Sequence, residues 1–279
     1  MSTELWTPIS SHAHELGEGL RRTPDGVRWV DLLKGEMYVW TPGTQASPLC
    51  THKLGKPLGM AQEDAAGRLL AIAGTGVVQL LDDGTDVPLA DTGLDPARYR
   101  VNDGALAPDG SFWFGTMVHN GSEPDGAVWR WDATGTGLDK MLGGIDIPNG
   151  PVFLPDGRGM LIADSAAGRI LRSTLADPAD TGAFAQTADG SPDGMYVDGR
   201  SRVWNAVWGA ARLDVYAQDA TLLAGIPLPV VQPTSVLLTD EPDPWVLVTS
   251  AATGLSDPGP FDGFTIAAPF SRVAPGLGH

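Results

Sequence analysis

Apolar residues in this chain come in short runs, each closed within a few positions by Gly, Asp or Pro, as short β-strands separated by turns require. The runs recur in one arrangement: a turn, an apolar strand that often carries Trp, a break marked by Gly or Asp, and a second apolar strand. The first copy reads PDGVRWVDLLKGEMYVW and the second AAGRLLAIAGTGVVQLL. The third is PDGSFWFGTM leading to GAVWRWD, and the fourth PDGRGMLIADSAAGRILRS. The fifth is GRSRVWNAVWGAARLDVY, and the sixth, more worn, DEPDPWVLVTSAATG. Turn glycines at 26, 67, 110, 157 and 199 are separated by 41, 43, 47 and 42 residues.

A period in the low forties predicts a β-propeller blade, a four-stranded antiparallel sheet repeated around a central channel. A lone sheet of this kind cannot cover both of its apolar faces, so neighbours must stack. Six copies fill the chain, which predicts an all-β, six-bladed propeller with residues 1–279 as one domain. Trp29, Trp113, Trp204 and Trp245 fall at similar places in their copies and are expected to pack between blades. One RWD at 130 to 132 does not make the Gly-His and Trp-Asp pair per blade of WD repeats, which disfavours that scaffold.

Composition agrees with many turns and little helix: 36 Gly and 23 Pro suit neither helix interiors nor long strands. With 18 Lys plus Arg against 34 Asp plus Glu the net charge is −16, which argues against nucleic acid and anionic membrane surfaces as partners. Cys50 is the single cysteine, so no internal disulfide or thiolate metal cluster can form. The N-terminus lacks a basic segment followed by an apolar run, and no stretch reaches eighteen uninterrupted apolar residues. A soluble, cytoplasmic protein is expected, as a monomer or weak homodimer.

An oxygen-bearing side chain stands seven positions before the hairpin turn of four copies: Glu18 before Asp25, Asn102 before Asp109, Asn149 before Asp156, and Asp193 before Arg200. The same step in copies two and six reaches Leu58 and Thr234. Equivalent positions in different blades lie at similar radius and height, so these four side chains are expected to converge at the channel mouth although up to 175 residues separate them. Four oxygen-bearing groups in one place suit a hard divalent cation, and bare carboxylates there would repel each other. Calcium, magnesium, manganese, zinc and iron(II) all remain open.

The stretches LGEG with WVD after it, RVNDGALAPDGSFWFGTM, IPNGPVFLPDGRGMLIADS, SPDGMYVDGRSRVWNA and IPLPVVQPTSV with LVTSA following resemble the senescence marker protein, gluconolactonase and regucalcin family. The resemblance spans nearly the whole chain and implies a six-bladed propeller with one divalent ion at the top of the channel. It implies Glu18, Asn149 and Asp193 as the metal ligands. Asn102 would contact substrate or a metal-bound water, with Asp103 beside it, and Arg100 would bind sugar hydroxyls. His119, after the third inner strand, is expected to line the mouth. The family's usual EGPxW is EGLRR here, and a Glu that follows GTM in animal relatives is replaced by Val118, His119 and Asn120, so a different substrate preference is expected.

The implied activity is hydrolysis of a sugar lactone or related small lactone, with the ion polarising the carbonyl and Asp193 as general base. No GxSxG is present, so covalent catalysis is not expected. Two other readings stay open: a non-catalytic calcium-binding or partner-binding propeller, and an organophosphate-type esterase on the same metal site. His12 and His14, two apart in SSHAHE, are expected to be histidines of a surface strand.

Overall fold

The computed structural model describes residues 3–24, 26–41, 47–121, 123–132, 137–240, 242 and 244–278. Asp25, the turn residue of the first copy, and Glu241 in the sixth lie outside them. The strands form six four-stranded antiparallel sheets, one per copy, and the innermost strand of each sheet contacts its counterparts in the neighbouring sheets. These innermost strands are Gly17–Thr23, Leu58–Glu63, Tyr99–Leu106, Pro148–Phe153, Ser191–Val197 and Pro233–Leu238, in blades one to six. The ring closes through a strand the repeat does not announce: Thr7–Pro8, near the N-terminus, is the outermost strand of blade six and pairs with Ile266–Pro269. The first and last strands among the described residues are thus joined in one sheet, which closes the ring.

The core lies between blades. Blades five and six share one apolar cluster that includes Trp204, Leu213, Val215, Val236, Val246 and Ile266. Trp29, Trp113 and Trp204 are fully buried, as expected of packing residues, whereas Trp245 is 40% exposed. The pairing explains the difference. Trp113 stands opposite Ala105 and Trp204 opposite Tyr196, both three residues past the inner-strand position, whereas the same place in blade six is occupied by Leu247, opposite Leu237. Trp245 lies two residues earlier, at the strand's outer end.

The expectation of surface-strand histidines at 12 and 14 is also corrected. Neither lies in a strand, and His14 is completely buried, accepting the indole N–H of Trp29 at 2.9 Å. His12 is exposed and its Nε2 lies 3.1 Å from the Tyr38 hydroxyl. His14 thus joins the aromatic packing beneath blade one, where burial lowers it to about 4 and keeps it neutral.

Candidate functional site

Each innermost strand breaks register at the same level. The shifts fall between Glu18 and Arg21, Leu58 and Met60, Val101 and Gly104, Asn149 and Val152, Pro192 and Met195, and Pro233 and Ser235. A bulge of this kind leaves ladder groups unpaired and re-aims a side chain, here toward the channel. The Gly that follows the inner position serves this geometry. Gly19 has φ +60°, and a Cβ on it would stand 2.4 Å from the Gly59 carbonyl oxygen of the next blade; a Cβ on Gly59 would stand 2.1 Å from that of Asn102. These positions are therefore bulges, with close interblade approach at Gly19, Gly59 and Gly194, and not turns.

Glu18, Asn102, Asn149 and Asp193 are all at least nine-tenths buried, and the structure brings them together. Asn102 Nδ2 donates to Asn149 Oδ1 at 2.9 Å and to the Pro148 carbonyl at 3.1 Å. Burial, followed by the charge of Asp103, pushes Glu18 up to about 8. Burial, followed by the charges of Glu18 and Asp103, raises Asp193 well above the carboxylate range. Asp193 Oδ1 has no hydrogen-bond partner, while the Asp193 carbonyl accepts from Asn205 Nδ2 at 2.9 Å. Two acids held this way repel each other as anions, and two carboxylates with an amide oxygen from the neighbouring inner strand are a donor set that a hard dication fits. Among the described residues no three His, Cys, Asp or Glu side chains converge as a metal cluster, so such a cation would rest on two carboxylates and the Asn149 amide oxygen.

The other residues singled out in the sequence fall into different places. Arg100 is buried and donates through Nη1 to Asn102 Oδ1 at 2.6 Å and to the Val101 carbonyl at 2.9 Å, with Nε unpartnered; burial lowers it to about 10. Asp103 turns to the backbone. Its Oδ1 accepts from Gly104 N–H at 2.8 Å and Arg21 Nη2 at 2.9 Å, and its Oδ2 from Gly150 N–H at 3.0 Å. His119 is exposed, with Nε2 2.9 Å from the Pro96 carbonyl.

Three contributors were not singled out by sequence reasoning. Arg21, in the atypical EGLRR, braces Asp103 and also donates to the Gly104 carbonyl. Ser165 accepts from Asn149 Nδ2 at 2.9 Å, and Asn205 holds the Asp193 backbone. Ser165 ends the stretch IPNGPVFLPDGRGMLIADS, and Asn205 sits in SPDGMYVDGRSRVWNA, so both stood within stretches whose residue types alone gave them no role. Beyond Arg21, at the opposite end of the inner strands, the channel widens into a cavity of about 300 Å³ lined from all six blades, Gln62, Leu106, Phe153, Tyr196 and Leu237 among its walls. The acids lie at the other end.

A family model described as the SMP-30/gluconolactonase/LRE-like region matches residues 16–252. An L-arabinolactonase of Azospirillum brasilense is 36% identical over 57% of this chain and 54% of its own. That match spans about half the relative's length, as does that of the other leading curated relative. A pentonolactonase of Haloferax volcanii is 31% identical over 82% of this chain and 79% of its own. The crystal structure of a calcium-binding protein, regucalcin, from Agrobacterium tumefaciens superposes with a TM-score of 0.85 at 25% identity, covering 94% of this chain and 92% of that one.

Proposed function

The chain belongs to the SMP-30/gluconolactonase/LRE-like family, and from that premise we propose that it is a metal-dependent lactonase acting on a sugar lactone or related small lactone. The observation that carries this reading is the pair of buried acids, Glu18 and Asp193, with Asp193 Oδ1 unpartnered on the inner strand next to the one that carries Asn149. Glu18, Asn149 and Asp193 would hold a divalent cation, calcium, zinc, magnesium, manganese or iron(II), and when bound it supplies Lewis acidity toward the lactone carbonyl. Asp193 takes a proton from the attacking water. Water adds to the carbonyl carbon, the ring C–O bond breaks as the proton held by Asp193 passes to the departing ring oxygen, and the product is a hydroxy acid. Arg100 offers its unpartnered Nε to a hydroxyl of the substrate, and Asn102, fixed by Arg100, defines the adjoining wall. Asp103 supports this wall through Gly150, and the exposed His119 would line the rim. The acidic chain with one thiol suits a cytoplasmic protein working on a small molecule, as a monomer or weak homodimer. Among the described residues no helix is long and apolar enough to cross a membrane.

The test is hydrolysis of a lactone panel by protein stripped of metal and refilled with each cation in turn, alongside Asp193→Asn. Activity lost with chelator, restored on refilling and lowered roughly 100-fold or more by Asp193→Asn is expected. Cation binding without turnover of any lactone would instead establish the non-catalytic reading, and turnover confined to organophosphate esters the esterase one.

A further inference from the structure

A one-way chain of hydrogen bonds links three blades at the level of the acids. Arg100 Nη1 donates to Asn102 Oδ1 at 2.6 Å, and Asn102 Nδ2 donates to Asn149 Oδ1 at 2.9 Å. Asn149 Nδ2 then donates to Ser165 Oγ at 2.9 Å, and Ser165 Oγ donates to the Pro192 carbonyl at 2.6 Å. Both ends fix the direction. A guanidinium has donors only, and a peptide carbonyl accepts only. The Ser165 hydroxyl carries a single hydrogen, which goes to Pro192, so toward Asn149 it can only accept. The Asn149 NH₂ must therefore face Ser165, and its oxygen must lie on the side of Asn102. Arg100 imposes the same direction from the far end, because Asn102 has to offer it an oxygen and so turns its own NH₂ toward Asn149.

We propose that Ser165 is a positioning residue that, acting through Asn149, presents the amide oxygen rather than the amide nitrogen to a divalent cation. The inference rests on the reading of Asn149 as a ligand and names what sets its polarity. An inverted Asn149 would turn N–H donors toward the cation, a repulsive contact in a site with little water to screen it. Ser165 is well placed to prevent this. It follows the strand Gly159–Asp164, is 6% exposed, and is anchored by its own N–H to the Ile147 carbonyl at 3.1 Å. With its hydrogen committed to the Pro192 carbonyl, the hydroxyl is spent on orientation rather than on nucleophilic chemistry.

The experiment is calcium binding by isothermal titration to the full chain and to Ser165→Ala, Ser165→Thr, Asn149→Asp and the double variant Asn149→Asp/Ser165→Ala. Ligand-orienting contacts of this type are worth about tenfold or more in metal affinity. Ser165→Ala is expected to weaken calcium by about that factor, and Ser165→Thr, which keeps the hydroxyl, to restore it. In Asn149→Asp both side-chain atoms are oxygens and orientation no longer matters, so adding Ser165→Ala should change affinity less than about twofold. Should Ser165→Ala fail to fold, Ser165→Cys, close in size and a weak acceptor, takes its place with the same expected loss. A loss from Ser165→Ala that is equal with and without Asn149→Asp, or no loss in the otherwise unaltered chain, overturns the proposal. A parent protein that binds none of calcium, magnesium, manganese or zinc overturns the cation reading itself, an outcome seen before any variant is compared.

Discussion

Stripping the cation should make the protein less stable as the pH rises through neutrality, opposite to the usual behaviour of carboxylates. Glu18 is pushed up from 4.5 to about 8, first by burial and then by the charge of Asp103. A carboxyl whose folded value exceeds its unfolded one keeps a proton that the unfolded chain has released. The unfolded state then binds fewer protons, so stability is fully present below 4.5 and is lost as the pH climbs to about 8. Asp193, raised in the same direction by burial and by Glu18, adds to the loss. His14 acts with the opposite sign lower down: burial holds it at about 4 instead of 6.5, the unfolded imidazole binds the extra proton, and stability rises through that interval. The interval from 6.5 to 8 is therefore the one in which the acids decide the slope.

One proton released over about 1.5 pH units is worth about 2 kcal/mol. In a domain of this size that corresponds to roughly 4–8 °C in Tm. Differential scanning fluorimetry from pH 6.5 to 8, in chelator and in excess calcium, reads it directly. The chain in chelator should lose about this much, and calcium should flatten the curve, because a bound dication offsets the repulsion. Glu18→Gln should melt above the unaltered protein at pH 8 in chelator, with a shallower slope and no gain from calcium. A Tm that holds steady or rises across this interval in chelator, or a Glu18→Gln slope equal to that of the parent, refutes the reasoning.

Two further contrasts test the ring geometry. Gly59→Ala puts a Cβ 2.1 Å from the Asn102 carbonyl and should cost roughly 2–3 kcal/mol in urea unfolding, whereas Gly199→Ala, with nothing within 4 Å, should stay within about 0.5 kcal/mol of the parent; equal costs would contradict the close approach. Trp204→Ala empties a fully buried site between blades five and six and should cost about 3–5 kcal/mol, while Trp245→Ala, at 40% exposure, should cost less than about 1 kcal/mol. The reverse order would mean that the blade register is wrong.

The blade count and the convergence of four oxygen-bearing side chains were legible because both depend on period, and a propeller turns period into angle about one axis. What was not legible is local pairing. Thr7–Pro8 closes the ring with two residues, too short a strand to carry a pattern, and its partner lies more than 250 positions away. Trp245 matches Trp113 and Trp204 in residue type yet misses their register by two, and only the strand pairing shows it. His14 looked like a strand residue because alternation suggested one, but it packs in a loop under Trp29.

The inner glycines sharpen this distinction, because they separate architecture from chemistry. Blade two has the bulge and the Gly, at Leu58-Gly59, with no oxygen to offer; blade six has the bulge without the Gly, at Thr234-Ser235. Gly in these strands therefore reports close backbone approach, to the next blade at Gly19, Gly59 and Gly194 and within the same blade at Gly104 and Gly150. The chemistry resides in the residue before it, and residue type at a repeating position identifies that. Polarity is a separate matter: whether Asn149 offers oxygen or nitrogen depends on Ser165 and, through Asn102, on Arg100, which lie 16 residues after it and 49 before it and share no period with it. A repeat can place an amide at the channel mouth, but orienting it takes neighbours chosen one by one.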